Sequence, residues 1–247
     1  MSFDAHPRSS LIVALDFDSL TAAVKFAKQL ADVVGMFKIG SQLFTTAGPE
    51  SVRQVAQLGT DIFLDLKFHD IPNTVAGAVL ASAAMPGVQL LNVHALGGIA
   101  MLRAAVQAVS AGVPMGADRT RLLAVTILTS MDQKAIREVG IPGTPQARAV
   151  KLAQLAQTAG VDGVVASVQE TKAIRKACGR EFLIVTPGVR PKNKAYARMK
   201  DDQTRTATPR DAIKAGADFI VVGRPILAAP DPRAAALEIV DEIAAAK

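Results

Sequence analysis

Short apolar runs alternate with stretches of helical periodicity along the chain. Residues 11–15 form the first run and predict a strand, followed by a helix that Ser19 or Thr21 caps and that continues to about residue 34. The same unit recurs. Further strands are predicted over 36–39, 61–67, 88–94, 122–127, 162–166, 182–185 and 218–222. Helices are predicted over about 49–58, 71–85, 98–111, 145–159, 169–178, 209–215 and 232–245. The strands are almost continuously apolar, as expected when both faces of a sheet are covered. Strict alternation of strand and helix implies a parallel sheet.

Eight such units in 247 residues fit a closed (β/α)8 TIM barrel with outer helices. A doubly wound open sheet is the competing architecture. No Gly-x-Gly-x-x-Gly follows the first strand, so a dinucleotide fold lacks its main sign. No linker or low-complexity segment divides the chain. The expected organisation is an N-terminal tail over 1–10 and a single barrel domain over 11–247. Two connections are long, 129–145 and 188–208. Both follow strands, which puts them at the C-terminal face, where such barrels keep their active sites.

Half of the residues are hydrophobic and a fifth are charged, which excludes a disordered chain. Trp is absent and Tyr196 is the single tyrosine, so stacking platforms for single-stranded nucleic acid are not expected. The net charge of +6 comes from scattered Lys and Arg with a local concentration over 190–210. That pattern suits a small anionic ligand better than nucleic acid. Cys178 is the one cysteine, so no internal disulfide can form and a reducing, cytoplasmic setting is expected. The run at 11–15 is too short for a signal peptide or a membrane span, and no membrane partner is expected.

Charge enters the pattern where the third strand ends. Phe63, Asp65 and Lys67 alternate with Ile62, Leu64 and Leu66, so a regular strand puts Asp65 and Lys67 on one face. Asp70 follows, and Pro72 suits the first turn of a helix. Charges at the mouth of a buried strand are costly to desolvate unless paired. A salt bridge that only fixes a loop is the plain alternative.

The other strands favour function, because their C-terminal ends carry polar residues too. Asp16 follows the first strand, Lys38 lies near the end of the second, and Asn92 and His94 stand on the fourth. Thr126, Thr129 and Ser130 follow the fifth, Pro187-Gly188-Val189-Arg190 the seventh, and Gly223-Arg224-Pro225 the eighth. The opposite ends show turn chemistry, as at Gly59 and Asp61 or Gly216 and Asp218. Lys38, Asp65, Lys67 and Asp70 are expected to alternate in sign around one pocket, keeping Lys67 charged as a proton donor. The Gly188 and Gly223-Arg224 loops stand where barrels bind phosphate, with a guanidinium able to grip two oxygens. A tight turn with a solvated Arg224 is the plain alternative. His94 reads as a satisfied buried histidine. His6, His69 and His94 lack metal-ligand spacing, and no metal is expected. Arg103, Arg119, Arg121, Arg148, Arg175 and Arg233 read as solvated surface, and Gln203 is left open by its chemistry alone.

Phe63-Leu64-Asp65-Leu66-Lys67-Phe68-His69-Asp70-Ile71-Pro72-Asn73-Thr74 closely resembles the signature of the orotidine 5′-phosphate decarboxylase family. Val13-Ala14-Leu15-Asp16, Lys38-Ile39-Gly40, Asn92-Val93-His94-Ala95, Thr126-Ile127-Leu128-Thr129-Ser130, Thr186-Pro187-Gly188-Val189-Arg190 and Val222-Gly223-Arg224-Pro225 match as well, in the family's order. Sugar-phosphate decarboxylases and hexulose-phosphate synthases share the Asp-x-Lys-x-x-Asp core, and the Phe-His-Asp-Ile-Pro-Asn-Thr continuation separates them. The resemblance implies conversion of orotidine 5′-monophosphate to uridine 5′-monophosphate and CO2 in de novo pyrimidine (UMP) biosynthesis, with no cofactor and no metal. It also implies a homodimer of barrels with shared active sites. By the same resemblance Lys67 protonates C6 of the pyrimidine and Asp65 lies against the departing carboxylate. Lys38 hydrogen-bonds Asp65 and the ribose, and Asp16 binds a ribose hydroxyl. Asp70, Ile71 and Thr74 reach in from the partner subunit. Thr129 and Ser130 read the pyrimidine edge, while Pro187, Arg190, Gln203, Gly223 and Arg224 line the phosphate side. Two roles stay open for Asp65, repulsion of the substrate carboxylate or restraint of Lys67. The alternatives are a magnesium-dependent sugar-phosphate decarboxylase or hexulose-phosphate synthase, and a non-catalytic phosphate-binding barrel.

Overall fold

In the computed structural model, which describes residues 6–112, 119–191 and 207–247, the apolar runs become eight parallel strands. These are β1 (Leu11–Ala14), β2 (Met36–Gly40), β3 (Asp61–Phe68), β4 (Val88–His94), β5 (Arg121–Val125), β6 (Gly163–Val165), β7 (Leu183–Thr186) and β8 (Phe219–Val222). Each pairs with the next in chain order, and β8 pairs with β1 to close the barrel. The closed (β/α)8 architecture is the one the sequence predicts.

Closure explains why the strands are apolar on both faces. One set of side chains, including Val13, Phe37, Leu64, Leu91 and Ile220, packs outward under the helices. The alternate set fills the barrel: Ile12, Ala14, Met36, Phe63, Leu90, Leu123, Val125, Val165, Val185, Phe219 and Val221. Such layers make the interior a packed core rather than a pore. The period of two then fixes what lies above that plug. Lys38 follows Met36, Asp65 follows Phe63 and Asn92 follows Leu90 on the same inward rows.

The outer helices are α1 (Leu20–Lys28), α2 (Ser41–Ala47), α3 (Pro49–Ala56), α4 (Pro72–Ala83), α5 (Gly98–Gly112), α6 (Gln133–Glu138), α7 (Pro145–Ala159), α8 (Val168–Cys178), α9 (Pro209–Lys214), α10 (Arg224–Leu227) and α11 (Pro232–Ala244). Their starts are encoded locally. Ser19, Asp132, Thr144, Thr208 and Asp231 each accept a backbone N–H of the first turn, and Ser167 with Glu170 forms a full capping box. Three helices are additional to those expected. The short α2 starts from Gly40 without a side-chain cap. Helix α6 lies inside the connection expected to be a loop, and four-residue α10 begins at Arg224. The first helix ends at Lys28, short of residue 34. Residues 95–112 are long and apolar enough by composition to cross a bilayer. Here they include α5, which buries Met101, Leu102, Ala105 and Val109 and packs on α4 and α7.

At the N-terminal face, acidic residues tie neighbouring strands together. The Asp162 carboxylate accepts the Leu122 backbone N–H at 2.8 Å, and that of Asp218 accepts the Ile184 N–H at 2.7 Å. Asp162 also pairs with Arg119. Within the expected tail, Pro7–Ser10 form a 3-10 helix with Ser10 buried. Arg233 grips Asp32 through both terminal nitrogens at 2.6 Å, joining α11 to the turn that follows α1. The reading of these arginines as solvated surface fails most clearly for Arg175. Its guanidinium donates to the carbonyls of Gly179, Arg180, Phe182 and Gly216 and to the carboxylate of Asp218. Five donors in a rigid fork suit that convergence of acceptors. Arg175→Ala strands those acceptors and is expected to cost about 2–4 kcal/mol of stability, measured by urea denaturation. A loss within about 0.5 kcal/mol, as at an ordinary surface site, contradicts the bolt.

Candidate active site

The site grows out of an irregularity in β3. Between the pairs Leu64–Leu91 and Phe68–Val93, β3 advances four residues while β4 advances two. The extra residues form a bulge, a device that re-aims side chains near sites. Lys67 sits in it with φ of 51°, the one non-glycine residue of positive φ among those described. A left-handed backbone costs an L-residue about 1–2 kcal/mol. The regular alternation expected from the sequence is therefore broken at Lys67, yet Lys67 and Asp65 still meet. The Asn92 side chain takes the place of the missing ladder partner: its Oδ1 accepts the Lys67 backbone N–H at 2.8 Å.

Around Asp65 the charges alternate as expected. Lys67 Nζ donates to Asp65 Oδ1 at 2.7 Å, and Lys38 Nζ lies 3.5 Å from Oδ2. Lys38 Nζ also reaches Asp16 Oδ1 at 3.1 Å, and Asn92 Nδ2 donates to Asp65 Oδ1 at 2.6 Å. Asp65 is 8% exposed. Burial pushes its pKa up, but the charges of Lys38 and Lys67 and the hydrogen bonds from Lys67 and Asn92 together outweigh burial, so the net shift is downward. Gly40 makes room for the array, because a Cβ there would come 2.7 Å from Lys38 Nζ.

These residues open into a cavity of about 290 Å³ at the C-terminal face. Of the expected site residues, Asp16, Lys38, Asp65, Lys67, Thr129, Ser130, Pro187, Arg190, Gly223 and Arg224 all line it, with Gly188 beside them. Ile127, Val165 and Ala166 form an apolar wall. The Asp16–Lys38–Asp65–Lys67 array joins two carboxylates to two ammonium groups, and Arg190 and Arg224 add guanidinium groups to the lining. Asp70, Ile71 and Thr74 do not line the cavity of their own chain. All three are exposed, Ile71 at 66%, and the Asp70 carboxylate accepts the Ile71 N–H at 2.7 Å. The expected fourth member of the alternating array is thus not in this chain's pocket. Gln203 lies outside the described residues.

Sequence reasoning noted Asn92 and His69 without a role, and of these Asn92 contacts the array. Its signal was its period-two spacing with His94 on the fourth strand, and the structure puts it two positions above inward-facing Leu90. Among the described residues, no group of three His, Cys, Asp or Glu side chains is arranged to hold a metal. His94 is half-buried and stacks on His69 with ring centroids 5.2 Å apart.

A buried carboxylate between two ammonium groups, in a cavity at the C-terminal face that two arginines also line, is the site layout of a (β/α)8-barrel enzyme. Comparison with known proteins narrows the class. The family model described as "Orotidine 5'-phosphate decarboxylase / HUMPS family" matches residues 9–239. The orotidine 5′-phosphate decarboxylase of Geotalea uraniireducens is 52% identical over 238 residues, covering 96% of each chain. That of Geobacter sulfurreducens is 51% identical, over 96% of this chain and 97% of that one. Among solved structures, the Lactobacillus acidophilus orotidine 5′-phosphate decarboxylase superposes with a TM-score of 0.83 at 40% identity, covering 94% of this chain and 98% of that one. An uncharacterized conserved protein of Geobacillus kaustophilus gives 0.81 at 37% identity, over 94% and 99%. The chain belongs to the orotidine 5′-phosphate decarboxylase / HUMPS family.

The histidine pair yields a pH prediction. Burial first, then the proximity of His69 and Lys67, lowers the His94 pKa from 6.5 to about 4. On acidification the unfolded chain takes up this proton before the folded one does, so stability falls from about pH 6.5 down to about pH 4. Urea denaturation at pH 7 and pH 5 is expected to show a smaller acid loss for His94→Gln than for the parent. Equal losses contradict the shift.

Proposed function

We propose that this chain is an orotidine 5′-phosphate decarboxylase, converting orotidine 5′-monophosphate to uridine 5′-monophosphate and CO2 in UMP biosynthesis. The observation that carries the reading is the Lys67 ammonium held 2.7 Å from Asp65 in the cavity that also holds Arg190 and Arg224. The Phe68-to-Thr74 continuation of the motif and the relatives at about half identity favour the decarboxylase over the hexulose-phosphate synthase side of the family.

The substrate's phosphate suits the part of the cavity lined by Arg190 and Arg224, whose guanidinium groups can serve its oxygens beside Gly188 and Gly223. Asp16 and Lys38 then stand where the ribose hydroxyls come, and Thr129 and Ser130 face the pyrimidine edge. That pose turns C6 and its carboxylate toward Asp65 and Lys67. As the C6–carboxylate bond breaks, CO2 leaves and the electron pair stays on C6. The Lys67 ammonium stabilises that developing charge in a preorganised setting and delivers its proton to C6. Water reprotonates the amine afterwards. Ionised Asp65 keeps the Lys67 ammonium aimed. Phosphate binding far from the reacting bond supplies energy that positions the ring.

The assembly belongs to the same reading. We infer a cytoplasmic homodimer whose two sites are shared, with Asp70, Ile71 and Thr74 entering the partner's pocket. Their exposure, and the apolar Ile71 side chain at 66% exposure, support it.

Loss of orotidine monophosphate absorbance on mixing with the purified protein and a chelator tests the activity. Full turnover is expected, and activity lost with the chelator favours the magnesium-dependent synthases instead. Lys67→Ala is expected to lower kcat by at least about 10³-fold; unchanged turnover contradicts the assignment and leaves a phosphate-binding scaffold. Isolated heterodimers of Lys67→Ala with Asp70→Ala chains contain one intact composite site. They are expected to recover about half of the parent activity, and no recovery removes the shared-site reading.

A further inference from the structure

Asn92 is completely buried, and both ends of its amide are used. Nδ2 donates to Asp65 Oδ1 at 2.6 Å, and Oδ1 accepts the Lys67 N–H at 2.8 Å. The orientation of the amide is forced, because a backbone N–H requires an acceptor and a carboxylate requires a donor. The same Oδ1 of Asp65 also takes the Lys67 ammonium. One side chain on β4 therefore holds the carboxylate that fixes the ammonium and the backbone from which that ammonium projects. It does so where the β3–β4 ladder is interrupted and where Lys67 carries a positive φ of 51°. Asp offers no donor at neutral pH, and Leu offers neither group. Of the isosteric side chains only Asn serves both contacts.

We infer that Asn92 is the positioning residue of the proton donor: it holds Lys67 in its left-handed bulge and aligns Asp65 beneath it. Neither Asn92 nor its amide lines the cavity, so it acts through Lys67 and Asp65 rather than on the substrate. Without it, the Lys67 backbone relaxes to negative φ, its Cβ direction swings, and the ammonium leaves the place where C6 stands. Arg190 and Arg224 are untouched by that change, so nucleotide binding stays while the chemical step slows. This inference rests on the reading of Lys67 as the donor.

The test is steady-state kinetics with orotidine monophosphate, UMP affinity and thermal unfolding for Asn92→Ala, Asn92→Asp and, as a reference, Lys67→Ala. Asn92→Ala is expected to lose about 10²-fold or more in kcat while KM and the UMP Kd stay within about threefold. Asn92→Asp keeps the acceptor for Lys67 but sets a second carboxylate against Asp65. Its activity is expected to rise as pH falls, when the two carboxylates share one proton and the donor to Asp65 is restored. That acid-shifted profile is a response no purely structural role gives. The inference is overturned if folded Asn92→Ala keeps kcat within about threefold of the parent. It is also overturned if kcat and UMP affinity fall together, if the Asn92→Asp pH profile is unshifted, or if neither variant folds. Inactive Lys67→Ala beside active Asn92→Ala removes this inference alone. Active Lys67→Ala removes the donor reading beneath it.

Discussion

The site depends on one buried carboxylate that two ammonium groups and one amide compensate. Asp65 alone at the top of an apolar plug would be costly to ionise. With Lys67 at 2.7 Å, Lys38 at 3.5 Å and Asn92 at 2.6 Å, it is held below the ordinary carboxylate range. The pairing works in both directions. The carboxylate fixes the direction of the lysine head groups, and the lysines keep it charged. Around it the fold has departed from regularity: β3 bulges, Lys67 takes a left-handed backbone, and Gly40 leaves room for the Lys38 head group. Strain of this kind persists where surrounding structure over-determines it, which here is the closed barrel itself.

The division of the cavity follows from where the polar residues leave the strands. The charge array comes from the segment after β1 and from β2 and β3, and the two guanidinium groups come from the segments after β7 and β8. Closure of β8 on β1 brings those two groups to one opening although they are far apart in the chain. Asp16 and Gly223 meet at that seam, a Cβ on Gly223 falling 3.5 Å from Asp16 Oδ2.

Much of this was legible in the sequence because it follows from periodicity. Continuous apolar strands imply burial on both faces, and eight of them imply closure, so the ring of polar strand ends could be read as one site. Lys38, Asp65, Lys67, Thr129, Arg190 and Arg224 do meet there. The bulge was invisible for a physical reason: a period of two fits Asp65 and Lys67 whether or not the ladder continues, and positive φ at a lysine has no sequence signature. Asn92 shared that obscurity, since its partners are set by a register shift. Helices α2 and α6 are too short to show a clear period, and α2 lacks a side-chain cap. Arg175 looked like surface because its acceptors are backbone carbonyls, which no side-chain pattern reveals. Asp70, Ile71 and Thr74 had a family motif but no place in their own chain's pocket, and Gln203 stands outside the described residues.

The measurement that reaches the centre of this account is a carbon-13 NMR titration of the Asp65 side-chain carboxyl in the folded protein. Paired as described, its resonance stays that of the ionised form as pH falls to 3.8, the ordinary aspartate value, while exposed aspartates are half protonated. An Asp65 that takes up its proton at or above that value would mean that burial outweighs the two lysines, and the charge array would not be the engine of this site.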